Sequence, residues 1–403
     1  MQPTGELHGD AVHVGGDARQ RFYDSRGYGR PLAGNEIALS RVEAAHLLFR
    51  GDLSAVTLQG ADDAPGDGRN GADGRNGIGG DRGGTVGFER FFVESAAAVD
   101  RFAVRYLVFA DLRDRGFYLS PARDGWPGGK HATADAIDLV VYERGSTPDT
   151  GEVRHPVQVV GERESISASG LAGRTLAVVD EESDITYFTA REAEIAGSTT
   201  YEPPMDLSGV LLDDRVVVWD APEDIYERGF YGRPLTGRAA EIEGALQLSL
   251  VEAASLAARG TLSLSRAVGD EAIGEGDASH GDPVDAMAAI VARGREVEGE
   301  RYDRRLAVYE RLRDRETVPK TGFKFGADFR TYLDVRTVED LPHSEHLVRV
   351  VEPDHVFSPR ELSLDVRLAG GVRKEMVFAL ADEHDRTREN DGIEWLSVGR
   401  LTP

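Results

Sequence analysis

A chain of 403 residues can form two to four domains with ample core and needs no covalent staples. It has no cysteine, which excludes disulfides, thiolate zinc sites and cysteine nucleophiles. Its 71 acidic residues outnumber 47 basic ones, a net charge of −24 that taken alone argues against a nucleic-acid partner.

No stretch approaches 18 consecutive apolar residues, and Met1–Asp10 has neither a basic nor an apolar leader segment. The expectation is a cytoplasmic protein with no membrane contact. Lysine occurs only at Lys130, Lys320, Lys324 and Lys374, and arginine supplies the remaining positive charge. An acidic, lysine-poor composition resembles that of proteins from salt-loving archaea. Molar salt shortens the Debye length to about 3 Å, so global charge then says little about partners.

In chain order, residues 1–60 read as a small α+β domain. Tyr28-Gly29-Arg30-Pro31 predicts a tight turn, because glycine frees the backbone and proline fixes φ. Ser40–Arg50 then predicts a helix with Ser40 as N-cap and Gly51 just past its end. Residues 61–86 are a Gly- and Asp-rich insertion with almost nothing to bury, read as a flexible linker. Residues 87–196 follow as an α/β domain, with Tyr106–Phe117, Val157–Val160 and Leu176–Tyr187 as its recurrent segments.

The same series then starts again. Residues 197–295 hold a second Tyr-Gly-Arg-Pro (Tyr231–Pro234) and a second Leu-Ser-x-Val-Glu-Ala-Ala run, capped by Ser249 and stopped by Gly260. A milder low-complexity stretch, Gly269–Pro283, occupies the place of the first insertion. Residues 296–403 predict a helix over Arg301–Arg315 and strands over Phe329–Asp334 and His346–Val351. They also predict a helix over Pro359–Leu368 and strands over Glu375–Ala381 and Ile393–Val398. The fold class is therefore α+β and α/β, a tandem duplication of a two-domain unit. In each copy a small α+β domain precedes a mixed-sheet, nuclease-like α/β domain.

The second copy carries an ordered set of chemical groups. Phe325-Gly326-Ala327-Asp328-Phe329-Arg330-Thr331-Tyr332 is followed eleven residues on by His343-Ser344, and then by Val372-Arg373-Lys374. On this set, with Tyr-Gly-Arg-Pro and Leu248–Ala253, the chain resembles the archaeal tRNA-splicing endonucleases, strongly over 209–403 and weakly over 12–195. The resemblance implies cleavage of precursor tRNA at bulge-helix-bulge motifs by the adjacent 2′-OH, giving 2′,3′-cyclic phosphate and 5′-OH ends. It implies no cofactor and no metal.

The residues suit that chemistry. Tyr332, His343 and Lys374 match the family's base, acid and electrostatic stabiliser. A histidine with pKa near 6.5 donates a proton near neutrality, and a lysine beside a developing dianion lowers the barrier. A phenol with pKa near 10 needs a neighbouring cation to act as base, and Lys374 is the candidate. Lys320 and Lys324 are either phosphate contacts or plain surface residues.

Further residues follow from the resemblance. Arg367 and Arg400 correspond to an arginine pair that clamps a bulged base, with Arg373 a rival for the first place. In the first copy, Ala172 falls opposite Lys374 and no Tyr or His motif survives. That half reads as catalytically dead, with His131 and His155 on loops. It keeps an acidic loop, Asp180-Glu181-Glu182-Ser183-Asp184. In the family such a loop plugs into a basic pocket of a catalytic subunit, so Asp180, Glu181, Glu182 and Asp184 are expected at the interface of a homodimer. One alternative is a metal-dependent nuclease built on Asp328, Asp334 and Glu375; the other is a non-catalytic RNA-binding scaffold.

Overall fold

Ser40 and Ser249 each end a strand and open a helix, and around them one arrangement is built twice. The computed structural model describes residues 2–58, 84–131, 136–148, 151–237, 244–265, 282–382 and 392–403. Most of the Gly/Asp-rich insertion and of Gly269–Pro283 lies outside these residues, but Gly84–Val86, expected to be the end of the linker, is a strand paired with Val56–Leu58. The chain divides into one unit of residues 1–164, 173–189 and 400–403 and another of 165–172 and 190–399.

The first unit contains β1 (Thr4–His8), β2 (Ala11–Val14), β3 (Arg30–Pro31), β4 (Ile37–Ser40), α1 (Arg41–Phe49), β5 (Ala55–Leu58) and β6 (Gly84–Val86). These strands form a sheet in the order β3-β4-β2-β1-β5-β6, antiparallel except where β1 and β5 run together. Helices α2 (Phe88–Ala98) and α3 (Phe102–Asp114) lead to β7 (Leu119–Pro121), β8 (Leu139–Tyr142) and β9 (Val153–Gly161). After the short β10 (Ile166–Ser167) come β11 (Thr175–Val179) and β12 (Ile185–Glu192). The order is β7-β8-β9-β11-β12, with β9 and β11 the parallel pair. Val12, Leu39, Leu47, Phe91 and Phe109 belong to one continuous core.

The second unit repeats this plan. Strands β13 (Leu207–Leu211) and β14 (Arg215–Val218), helix α4 (Glu223–Glu227), β15 (Arg233–Pro234), β16 (Leu246–Ser249), α5 (Leu250–Ala258) and β17 (Leu262–Leu264) make its smaller domain. Helices α6 (Pro283–Glu298) and α7 (Arg301–Asp314) follow, then β18 (Val318–Thr321), β19 (Phe329–Tyr332), β20 (His346–Val351), β21 (Val356–Phe357), α8 (Pro359–Gly371), β22 (Glu375–Leu380) and β23 (Glu394–Leu401). The order β18-β19-β20-β22-β23, with β20 and β22 parallel, matches that of the first unit strand for strand. Within this unit β10, although encoded in the first half of the sequence, pairs with β21.

The repeated sequence motif is a latch rather than only a turn. Both serines form capping boxes, accepting from the N3 amide while the N3 glutamate, Glu43 or Glu252, bonds back to the cap. The other carboxylate oxygen of each glutamate accepts the amide of the motif glycine, Gly29 at 2.6 Å and Gly232 at 3.0 Å. Those glycines have φ of +74° and +61°, and a Cβ there would lie 2.4 or 2.3 Å from a carbonyl oxygen. The tyrosine before each lies under an arginine from the following domain, Arg113 3.9 Å above Tyr28 and Arg313 4.0 Å above Tyr231. Arg-Pro then continues as a short edge strand, β3 or β15, which the turn reading did not anticipate.

Element ends differ from expectation in a few places. Helix α8 runs on to Gly371, so Arg367 lies inside it, and β23 extends to Leu401, so Arg400 lies in the last strand rather than after it. Helices α2 and α6 were not singled out, although Asp282 capping the amide of Val284 with Pro283 at the first helical position is a start signal. Among the described residues no helix is long and apolar enough to cross a membrane.

Candidate functional site

Strand register brings the three chemical groups to one end of the second unit's mixed sheet. On β19 and β20, Thr331 faces His346, and the Glu345 amide donates to the Thr331 carbonyl at 3.0 Å. On β20 and β22, His346 faces Glu375, and the Glu375 amide donates to the Glu345 carbonyl at 2.9 Å. The backbones of Tyr332 at the end of β19, His343-Ser344 before β20 and Lys374 before β22 therefore lie at the same end of three adjacent strands. The Lys374 ammonium donates to the Ser344 carbonyl at 2.6 Å, next to His343. Arg373, at φ +57°, makes the bend from α8 that delivers Lys374 to this place.

The electrostatics correct one expectation. The body of Tyr332 is buried at 3% exposure among Phe230, Val318 and Val335. Burial raises its pKa, Arg330 pulls it down and Glu345 pushes it up. The cation that acts on the phenol is thus Arg330, whose guanidinium lies 5.7 Å from the ring centroid, and not Lys374. The ammonium of Lys374 has its own pKa lowered, by burial first and then by repulsion from Arg330, with Glu345 opposing. Sequence reasoning missed Arg330 and Glu345, though Arg330 stands inside the quoted motif. Arg330 Nε and Glu345 Oε2 are both buried without a hydrogen-bond partner. His343 is exposed.

The other expected residues divide clearly. Arg367 is exposed on α8 and Arg400 is exposed on β23. Asp180–Asp184 is the exposed turn between β11 and β12, with Asp180 Oδ1 accepting the amides of Glu182 and Asp184. Lys320 is neither a free surface residue nor a phosphate contact. It is tied down to Glu252 Oε1 at 3.0 Å and to the carbonyls of Phe230 and Gly232.

Asp328, offered as a metal carboxylate, is buried between Arg301 and Arg305 and accepts the Val350 amide. Glu375 pairs with Arg191, and Ser198 donates to Asp334. Among the described residues no group of three His, Asp or Glu side chains is arranged to hold a metal ion.

Register also identifies the counterparts in the first half. Val157 faces Leu139 and Thr175, as Val348 faces Phe329 and Val377. Counting from these pairs, Ala172 takes the place of Lys374, Glu152 that of His343 and Val140 that of Arg330. Tyr142 takes the place of Tyr332, beside a bulge between Val141 and Tyr142. A tyrosine therefore survives where none was expected, hidden because its flanking motif has decayed. His155 lies on β9 rather than on a loop, at the position of His346.

A cavity of about 630 Å³ lies in the second unit between its two domains, lined by Arg215, Arg233, Arg305, Lys320 and Arg330 with Asp214 and Glu252 among them. On a chain of net charge −24 this is a local concentration of positive charge.

Comparisons with known proteins agree with this architecture. The N-terminal domain of the tRNA intron endonuclease family matches twice, at residues 4–63 and 207–274. The catalytic C-terminal domain of that family matches once, at residues 302–389, the half that carries Tyr332, His343 and Lys374. The chain is 52% identical over 402 residues to the tRNA-splicing endonuclease of Halobacterium salinarum, covering 99% of both chains. It is 50% identical over 399 residues to that of Haloferax volcanii, again over 99% of both. The tRNA-splicing endonuclease of Methanococcoides burtonii is 32% identical over 98% of this chain and 99% of its own. A duplicated two-domain unit matched once by the catalytic domain of that family defines an RNA-cutting enzyme of fused-repeat type. The chain belongs to the tRNA intron endonuclease family, and it is an endoribonuclease of tRNA splicing.

Proposed function

We propose that the enzyme cuts precursor tRNA at bulge-helix-bulge motifs by metal-independent transesterification at Tyr332, His343 and Lys374. What supports this reading is the placement of those residues at the ends of adjacent strands, with Lys374 bonded to the carbonyl of Ser344, the residue after His343. Tyr332 takes the proton of the 2′-OH as that oxygen bonds to phosphorus. His343 gives a proton to the 5′-oxygen as the P–O5′ bond breaks, leaving a 2′,3′-cyclic phosphate and a 5′-OH. Lys374 offsets the charge that builds on the phosphoryl oxygens in the pentacoordinate state. Arg330 favours the ionised phenol at the start of the cycle.

RNA is held by shape and by its unstacked bases. The exposed guanidiniums of Arg367 and Arg400 are positioned on the surface to contact them. The first half, with Ala172 and Glu152 at the amine and imidazole positions, is a scaffold without activity. A two-fold homodimer supplies two complete sites for the two scissile phosphates of the substrate. In it the Asp180, Glu181, Glu182 and Asp184 turn of one chain seats in the basic cavity of the other, whose arginines have the complementary charge. The enzyme works in the cytoplasm.

The test is a bulge-helix-bulge hairpin incubated in molar KCl with EDTA, followed by end-group analysis. Cyclic phosphate and 5′-OH ends are expected from wild type. His343→Ala and Lys374→Ala are expected to lose activity by about 10²-fold or more at unchanged stability. Cleavage that stops in EDTA, or that survives both substitutions, refutes the mechanism.

A further inference from the structure

The turn that carries Phe325 beneath Lys374 also carries an aromatic side chain that packs into no core. Phe323 is 86% exposed, the most exposed large apolar side chain among the described residues. Water contact over a whole phenyl ring is unfavourable, because apolar surface is left uncovered. The turn that carries it is rigid. The Phe323 amide donates to Thr321 Oγ1 at 3.3 Å, the Phe325 amide to the Gly322 carbonyl at 2.7 Å and the Gly326 amide to the Phe323 carbonyl at 3.2 Å. Gly322 also donates to the Asp328 carbonyl at 3.0 Å, and a Cβ on it would lie 2.8 Å from Ala327 O, so only glycine closes this loop. The ring is therefore held out in solvent by a preorganised backbone.

Its surroundings say what it meets. Phe325, two residues on in the same turn, lies under Lys374, whose ammonium is 5.9 Å from that ring centroid. Phe323 thus belongs to the same short turn as the ring beneath Lys374 and points off it in another direction, into solvent. Lys324 between the two rings is exposed and is one of only four lysines in the chain. An exposed π-face on a turn that also carries an exposed lysine fits an unstacked base whose phosphates lie alongside. One ring offers too little apolar area to hold a protein partner.

We propose that Phe323 is a base-stacking subsite, receiving an unpaired nucleotide next to the scissile phosphate while Lys324 meets the adjoining backbone. The inference rests on the reading of Tyr332, His343 and Lys374 as the cleavage centre. Stacking of a base on an aromatic side chain contributes about 1–3 kcal/mol, so its loss weakens binding by about 5- to 150-fold.

The experiment uses the full-length chain with His343→Ala to prevent turnover, and a precursor tRNA carrying 2-aminopurine at the bulge nucleotides. Adding Phe323→Ala is expected to weaken binding about tenfold and to abolish quenching of the 2-aminopurine, with the thermal midpoint unchanged. Phe323→Trp is expected to restore both. Equal affinity and equal quenching in Phe323→Ala overturn the proposal. So does a fall in sedimenting mass with RNA binding intact, which assigns the ring to a protein contact. Lys374→Ala in an otherwise wild-type chain is assayed in parallel. Retained cleavage there refutes the cleavage centre itself, whatever Phe323 does.

Discussion

Replacing Lys320 by methionine isolates an electrostatic difference between the two halves. Glu252 is buried, and after the unfavourable contribution of burial the Lys320 ammonium, with the Ser249 hydrogen bonds, holds its pKa down to about 2, against 4.5 for the free group. At 1.36 kcal/mol per pH unit that depression stabilises the folded state by about 3 kcal/mol at neutral pH. The first half shows the result of doing without the lysine. Register puts Ser120 where Lys320 stands, and the equivalent carboxyl, Glu43, has its pKa raised by burial.

Because the Glu252 pKa is lower folded than unfolded, its contribution is complete above about pH 4.5 and is lost as pH falls toward 2. Lys320→Met is therefore expected to lose about 3 kcal/mol at pH 7, the range found when one member of a buried ion pair is removed. The two proteins should converge in stability near pH 2. Denaturant unfolding, read at Trp395 with Trp126 and Trp219 replaced by phenylalanine, reports on the second unit. Adding Glu252→Gln to Lys320→Met should recover much of the loss, since a neutral amide no longer needs the cation. A Lys320→Met protein within 0.5 kcal/mol of wild type, roughly the error of additivity, refutes the reasoning.

Three further outcomes follow. Arg330→Gln removes the positive charge that lowers the Tyr332 pKa, so the rise of cleavage rate with pH should move to higher pH; an unmoved profile separates Arg330 from the phenol. Replacing Asp180, Glu181, Glu182 and Asp184 by their amides should reduce the sedimenting species in dilute protein toward the 43.8 kDa single chain, and an unchanged mass contradicts the interface role. The thermal midpoint should rise between 0.1 and 2 M KCl, as screening relieves the repulsion of a net −24 charge; a fall would contradict salt adaptation.

What the sequence alone determined is local or repeated. Capping boxes at Ser40 and Ser249 join residues three apart, and glycines at 51 and 260 follow the nine-residue helices that those caps open, so the duplication is legible in the sequence. The order and spacing of Tyr332, His343 and Lys374 likewise survive as a linear pattern. Tertiary structure alone decided which charges act on those groups. Lys320 meets Glu252 across 68 positions, Arg330 rather than Lys374 acts on the phenol, and Tyr142 lies at the place of Tyr332 in a half whose motif is gone. The physical reason is strand register. A register is fixed by pairing between segments far apart in the chain, and an electrostatic neighbour across it leaves no periodic trace along the sequence.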